Sequence, residues 1–368
     1  MRKTQVLFVA PGVGNGGIRS WAKKMLATFN DDEFELVHIG VGNRRAALTN
    51  SFIKRMIDGL LDLREKRKAV RSALKNNSNI AIMHITTSGS LGTLRDYVLA
   101  KCCKSYGVKT IMHCHYGCIS EDYTSKGIMG FLLRKTMRLY DQIWVLDSRS
   151  YKTLSSDQHL LGKVFITPNS IHVPLSCDLS SKGYKNVAYV GILLPSKGLY
   201  ELIEAVKRCQ NNTVLTIVGP GEDEVVRRMR EIAGDDMDNK IRYIGPLPND
   251  QAVSFIKTMD IIALPTYYKY EAFPISILEA MSYGKMVIST PRAAIKDMLT
   301  AVDGTECGCL VQEKSVDDIV KALAWCQTNT ELADDRCKKA YEKVHSYYRM
   351  DVVYDLYREL YRKLLSKM

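Results

Sequence analysis

The sequence predicts an α/β protein of two domains, each a doubly wound parallel sheet covered by helices, and three observations carry that expectation. At 368 residues the chain is longer than one hydrophobic core usually organises. Apolar strand-like runs alternate with amphipathic helical stretches from one end to the other, which is the pattern of βα units. The alternation pauses once, in "PNSIHVPLSCDLSSKGYKN" (168–186), where prolines, a glycine and many polar residues break any period.

Six runs precede the pause: "TQVLFVA" (4–10), "FELVHIG" (34–40), "IAIMHIT" (80–86), "KTIMHCH" (109–115), "QIWVLD" (142–147) and "KVFITP" (163–168). Six follow it: "NVAYVG" (186–191), "TVLTIVG" (213–219), "IRYIG" (241–245), "DIIALP" (260–265), "MVIST" (286–290) and "CGCLV" (307–311). Domains are therefore expected at 1–170 and 186–346, joined by a linker at 171–185. Residues 347–368 read as a closing helix that packs back on the first domain, with Val353, Tyr357, Leu360, Tyr361 and Leu364 on one face.

A hydrophobic content of 46% with 25% charge is that of an ordinary globular protein and excludes disorder. No window reaches the about 18 consecutive apolar residues of a membrane span. The first apolar run breaks at Pro11-Gly12 without a signal-cleavage site. The expected location is the cytoplasm, or the inner face of the cell membrane as a peripheral protein. Ten cysteines scattered through a chain without an export signal read as free thiols.

The net charge of +12 is unevenly spread. Residues 44–75 hold ten cations against Asp58, Asp62 and Glu65, with Phe52, Ile53, Met56, Ile57, Leu60 and Leu61 on helical spacing. Such a helix can lie on an anionic membrane; the alternative is a core helix with a solvated outer face. Nucleic acid is not an expected partner, because no binding motif or interleaved aromatic pattern accompanies the charge.

In open parallel sheets ligands bind beyond the carboxyl ends of strands, and with two sheets the crevice between them is the expected site. "PGVGNGG" (11–17) follows the first strand with a G-x-G-x-x-G spacing, but the next strand ends in "VGNRR", without the acidic residue that holds a ribose of NAD. What remains is a glycine loop whose amides can approach a phosphate or sugar. In "GILLPSKG" (191–198), Lys197 sits at a strand-to-helix turn and suits a diphosphate leaving group. "VGPGED" (218–223) supplies a second glycine turn, at Gly219. "EAFPISILEA" (271–280) places two carboxylates eight residues apart, Glu271 ahead of a helix and Glu279 inside it, with Pro274 in the first turn.

Taken in this order, the "GGI", "KG", "VGPGE", "EAFPISILEA" and "GKMVIST" segments resemble family 4 of the glycosyltransferases, a retaining GT-B class of the bacterial polysaccharide-synthesis type, over nearly the whole chain. The resemblance implies two Rossmann-like domains, acceptor-binding at 1–170 and nucleotide-sugar-binding at 186–346. It implies that Lys197 binds the donor diphosphate, Glu279 the ribose and Glu271 the hydroxyls of the transferred sugar. Phe273, Pro274 and Ile275 would line the sugar and phosphate pocket, Gly219 would join the donor-binding set, and Gly16 and Gly17 would face the diphosphate and acceptor. His115 resembles the family's histidine near the donor sugar. No carboxylate announces itself as a covalent nucleophile, so the implied reaction is a front-face retaining transfer, from a UDP- or GDP-sugar to a glycan or lipid-linked saccharide.

Two departures stand out. Ile192 occupies the place of the family's arginine, for which Arg149 or Arg19 could substitute, and Ala293-Ala294 occupies that of a glycine pair, after an Arg292 that could enter the crevice. The rival functions are a nucleotide-sugar epimerase of the same fold and a noncatalytic binding protein descended from a transferase. No metal or other cofactor is expected. "HCHYGC" (113–118) alternates across a strand, "DMD" (236–238) lies in a polar turn, and Cys307 and Cys309 are expected to have no partner pair.

Overall fold

The computed structural model describes residues 2–12, 17–41, 52–89, 92–174, 183–209 and 212–366, with only the backbone described over 52–58. The chain forms two compact units, Met1–Pro168 with Tyr354–Met368, and Asn169–Val353.

The first unit runs β1 (Thr4–Pro11), α1 (Gly17–Thr28), β2 (Phe34–Val41), α2 (Phe52–Asn76), β3 (Ile80–Thr87), α3 (Gly92–Lys104), β4 (Lys109–Cys114), α4 (Ile119–Thr124), α5 (Ile128–Met137), β5 (Gln142–Val145), α6 (Ser148–Ser155) and β6 (Val164–Ile166). The second runs β7 (Asn186–Val190), α7 (Leu199–Arg208), β8 (Val214–Val218), α8 (Asp223–Ala233), β9 (Ile241–Gly245), α9 (Asn249–Thr258), β10 (Ile261–Leu264), α10 (Ile275–Ser282), β11 (Met286–Ser289), α11 (Ala294–Met298), β12 (Cys309–Leu310), α12 (Val316–Thr328) and α13 (Thr330–Lys343). A last helix, α14 (Met350–Leu365), returns the chain to the first unit.

Each unit holds a six-stranded sheet, in the orders β2-β1-β3-β4-β5-β6 and β12-β11-β10-β7-β8-β9. Every pairing is parallel, so both faces need helical cover. All twelve strand-like runs are strands, as the alternation predicts.

Side-chain alternation gives the first sheet two different faces. Leu7, Val9, Met83, Ile85, Met112 and Cys114 join Leu99, Ala100, Leu133 and Met137 of α3 and α5 in an aliphatic core. The opposite face carries Phe8, His84, His113 and Trp144, packed against Trp21 of α1 and Tyr357 and Tyr361 of α14. The histidine nitrogens there find partners, while the Tyr357 hydroxyl is buried without one. His84 Nδ1 meets the Tyr361 hydroxyl at 2.7 Å, His84 Nε2 meets His113 Nδ1 at 3.1 Å, and His113 Nε2 meets the Thr167 hydroxyl at 3.2 Å. Gln142 Nε2 donates to the Leu360 carbonyl at 3.0 Å. Burial disfavours the charged imidazoles, driving the pKa of His84 down to about 3 and that of His113 well below its ordinary value.

Where the chain enters the second unit, Ile171 exchanges backbone hydrogen bonds with Tyr348 and Met350, both 3.1 Å. Residues 175–182 of the expected linker lie outside the described residues.

Candidate active site

In the second sheet β7 is followed by β8 and β9 on one side and by β10 on the other. The loops leaving β7 and β10 therefore diverge, and a crevice opens at their carboxyl ends. Lys197 lies on the first of these loops and Glu271 on the second.

The lysine turn is built against its neighbour. Lys197 ends a 3-10 turn, Pro195–Lys197, and Gly198 follows with φ of +75°. A Cβ at Gly198 would stand 2.2 Å from the Pro265 carbonyl oxygen, so only glycine lets the two loops close up. Ser196 O accepts from Tyr267 N at 2.8 Å, and the hydroxyl of Tyr189 on β7 donates to Ile192 O at 2.7 Å. These contacts bring Lys197 Nζ to 3.1 Å from Glu271 Oε2, with both side chains largely buried. Oε2 accepts no hydrogen bond with proper geometry, so the contact is electrostatic and leaves hydrogen-bonding capacity unspent.

Pro274 takes the N-cap position of α10 and Ile275 its first turn. Glu279 is the fifth residue of that helix and is part-exposed. The Phe273 ring is buried edge-on against Tyr348, at 5.5 Å between centroids. Phe273 therefore offers its backbone rather than its ring to the crevice, and its carbonyl accepts from Asn169 Nδ2 at 3.3 Å. Gly219 has a packing reason of its own: a Cβ there would stand 1.8 Å from Gly191 O, where the exits of β7 and β8 touch.

The departures from the family pattern resolve separately. Ile192 is exposed. Arg292, expected to be available to the crevice, is paired instead with Glu313 at 2.8 Å, and Arg149 pairs with Glu121 of the first unit at 2.8 Å. Ala293 keeps a glycine backbone without being glycine, with φ of +44° and ψ of −125°. Such a conformation costs an alanine roughly 1–3 kcal/mol. Ala293→Gly is expected to raise stability by about 1 kcal/mol after its own unfolded-state entropy is counted, shifting the thermal midpoint up by about 2–4 °C; calorimetry checks this.

In the first unit His115 follows β4, and its backbone N–H donates to Thr87 O at 2.9 Å. Its ring lies 4.3 Å from that of Trp21 and 4.1 Å from that of His113. Burial drives its pKa down to about 3, so the ring is neutral, and Nε2 is buried without a partner. Gly17 opens α1, with open space where a Cβ would stand, whereas Gly16 lies outside the described residues.

Both ring nitrogens of His84 and His113 are occupied, and among the described residues no group of three or more His, Cys, Asp or Glu is placed to hold a metal. Cys309 has its Sγ 3.9 Å from that of Cys326, a single thiol rather than the pair a zinc site would need. The nine described cysteines are free thiols. No described helix is long and apolar enough to cross a membrane.

Sequence reading passed over three residues that shape these sites: Trp21, Tyr189 and Asn169. Trp21 had a signal, one turn into a helix behind a glycine loop. Asn169 had none, since it sits in a stretch without a period.

Two six-stranded parallel sheets, each with such loops at its carboxyl edge, define the GT-B fold. Residues 178–343, which lie wholly within the second unit, match the family model of glycosyl transferases group 1. The D-inositol 3-phosphate glycosyltransferase of Corynebacterium efficiens is 34% identical over 159 residues, 41% of this chain and 35% of that protein. The chain thus spans about a third of the length of the curated relative it matches. Anabaena HepE, solved in complex with UDP-glucose, shares the fold at a TM-score of 0.71 and 15% identity, covering 99% of this chain and all of that one. A lipopolysaccharide outer core galactosyltransferase, WaaB, does so at 0.68 and 16%, with the same coverage of 99% and 100%.

Proposed function

We propose that the chain is a retaining glycosyltransferase of family 4, moving a sugar from a UDP- or GDP-sugar to a glycan or lipid-linked saccharide in the synthesis of a surface polysaccharide such as capsule, O-antigen or exopolysaccharide. The observation that carries this reading is the ion pair of Lys197 with Glu271, 3.1 Å apart at the switch point of the second sheet. It sets a cation and a hydroxyl acceptor side by side, which a sugar diphosphate needs at its scissile bond. The match to glycosyl transferases group 1 over this unit and the UDP-glucose bound to HepE support the donor class.

Lys197 stabilises the charge that develops on the diphosphate as the bond to the sugar breaks, a task for a fixed cation in a site shielded from water. Glu271 orients the sugar through its hydroxyls, and Glu279 holds the ribose. A neutral His115 offers Nε2 to the donor sugar. The acceptor oxygen bonds to the anomeric carbon on the face the phosphate leaves, the departing phosphate oxygen takes its proton, and the nucleoside diphosphate is released. Lys197 fills the role a metal takes in other transferases, so no metal is required. The basic helix at residues 44–75 rests on an anionic membrane at the inner face of the cell, where a lipid-linked acceptor is delivered; residues 44–51 of it lie outside the described residues.

The test is a panel of UDP- and GDP-sugars read by thermal shift and then by mass spectrometry of glycan products, with EDTA present. One nucleotide sugar at 100 times its Kd stabilises by about 2.7 kcal/mol, and transfer persists in the chelator. An epimerised donor without a glycoside points to the epimerase, stabilisation without turnover to the noncatalytic protein, and loss of transfer in EDTA refutes the metal-free mechanism.

A further inference from the structure

Three helices cover one face of the first sheet side by side: α2 packs on α3, and α3 on α5. Their inner sides enter the aliphatic core. Their outer sides are unusual in two ways.

First, large apolar side chains stand in solvent. Ile128 is 85% exposed and Phe131 61%, one turn apart at the start of α5, with Met129 between them. Leu94 of α3 and Leu60 and Leu61 of α2 are exposed as well. One exposed apolar residue needs no explanation, but six on three adjacent helices are more than folding alone accounts for. Second, the cations beside them lack carboxylate partners. Arg67, Arg71 and Lys101 line a cavity of about 610 Å³ between α2 and α3, together with Val98, Cys102, Ser105 and Tyr106. No carboxylate lines it. Lys101 and Lys135, from α3 and α5, both lie over the Tyr97 ring, at 5.1 and 5.7 Å, which joins the cationic region of the cavity to the last turn of α5, the helix whose first turn carries Ile128 and Phe131.

A surface that offers apolar side chains and cations without carboxylate partners together fits a partner that is apolar within and anionic at its boundary. Nucleic acid supplies only the second property. We propose that this three-helix face docks on a bilayer of anionic lipids, with Ile128 and Phe131 entering the acyl boundary and the cavity lined by Arg67, Arg71 and Lys101 receiving lipid phosphates. The proposal rests on the reading that the first unit meets a membrane, but it makes α5 the anchor, where that reading used α2 alone. Charge draws the protein to the surface, and apolar insertion sets how long it stays.

The full-length chain is sedimented with vesicles of phosphatidylcholine containing a quarter phosphatidylglycerol, and with phosphatidylcholine alone. Wild type is expected in the pellet only with the anionic vesicles. The double variant Ile128→Ser with Phe131→Ser is expected to lose at least tenfold in binding, with an unchanged thermal midpoint because both positions are exposed. Phe131→Trp should show a blue-shifted emission on vesicles, a signal that misfolding does not mimic. Inorganic phosphate at 10 mM should not displace the protein; displacement would assign the cavity to free phosphate and overturn its headgroup role. If wild type binds, the serine variant binds equally and the Arg64→Glu, Arg67→Glu, Lys68→Glu, Arg71→Glu variant does not, the α5 anchor is wrong while the α2 reading stands. If wild type ignores anionic vesicles, both fall.

Discussion

Glu271→Gln is expected to lower sugar transfer by roughly 10²–10³-fold, the cost of removing one oriented charge from a site shielded from water. Glutamine keeps the shape and a hydrogen-bonding oxygen, so the backbone contact of Glu271 N with Tyr268 O is untouched. What is lost is the negative charge 3.1 Å from Lys197 Nζ. Without it the lysine sits largely buried and uncompensated, and stability falls by no more than about 2 kcal/mol because the ammonium keeps partial access to water. Lys197→Ala is expected to lose transfer to a similar degree and to raise KM for the donor as well. If the two side chains act on one substrate bond, as proposed, the double variant should be much less impaired than the product of the singles. Steady-state kinetics with the donor from the nucleotide-sugar panel decides it, and wild-type kcat/KM in Glu271→Gln would remove the glutamate from the mechanism.

The second large effect is on stability, and its sign follows from the buried imidazoles. His84 and His115 have folded pKa values near 3, against about 6.5 in an unfolded chain, because burial disfavours their charged forms. Between those values the unfolded chain binds protons that the folded one refuses, so stability falls as pH drops through 6.5 and is fully present above it. At pH 5 each of the two costs about 2 kcal/mol, and His113, displaced in the same direction, adds to the loss. The carboxylates of Asp31 and Asp141, held low in the fold by hydrogen bonds from backbone and cation that outweigh their burial, lose their contribution only below about pH 4. Unfolding in urea at pH 7.5, 6 and 5 should therefore show a falling midpoint that begins above the carboxylate range. A midpoint constant from pH 7 to 5 would mean that water reaches these rings.

Much of this was legible in the chain. Strand period, the single pause in the alternation and glycine-bearing turns after strands placed both sheets and picked out Lys197, Gly219 and Glu271 as candidates, because those signals are local: a side chain's face and a turn's φ depend on residues a few positions away. The reading of Ala293 as a departure was equally local, and the backbone there still takes the conformation glycine would favour.

Other features were decided by tertiary structure. Arg292 looked free for a ligand and is bound to Glu313, twenty-one residues on. Asn169 holds the carbonyl of Phe273, 104 positions away. The packed helix layer leaves Ile128 and Phe131 in solvent. The sequence by itself determined which elements form and where the glycine-bearing turns after strands fall, because period and backbone preference are short-range. Which side chains pair, which stay empty-handed and which hydrophobic residues remain outside required the folded chain, since these depend on partners that only a closed topology brings within reach.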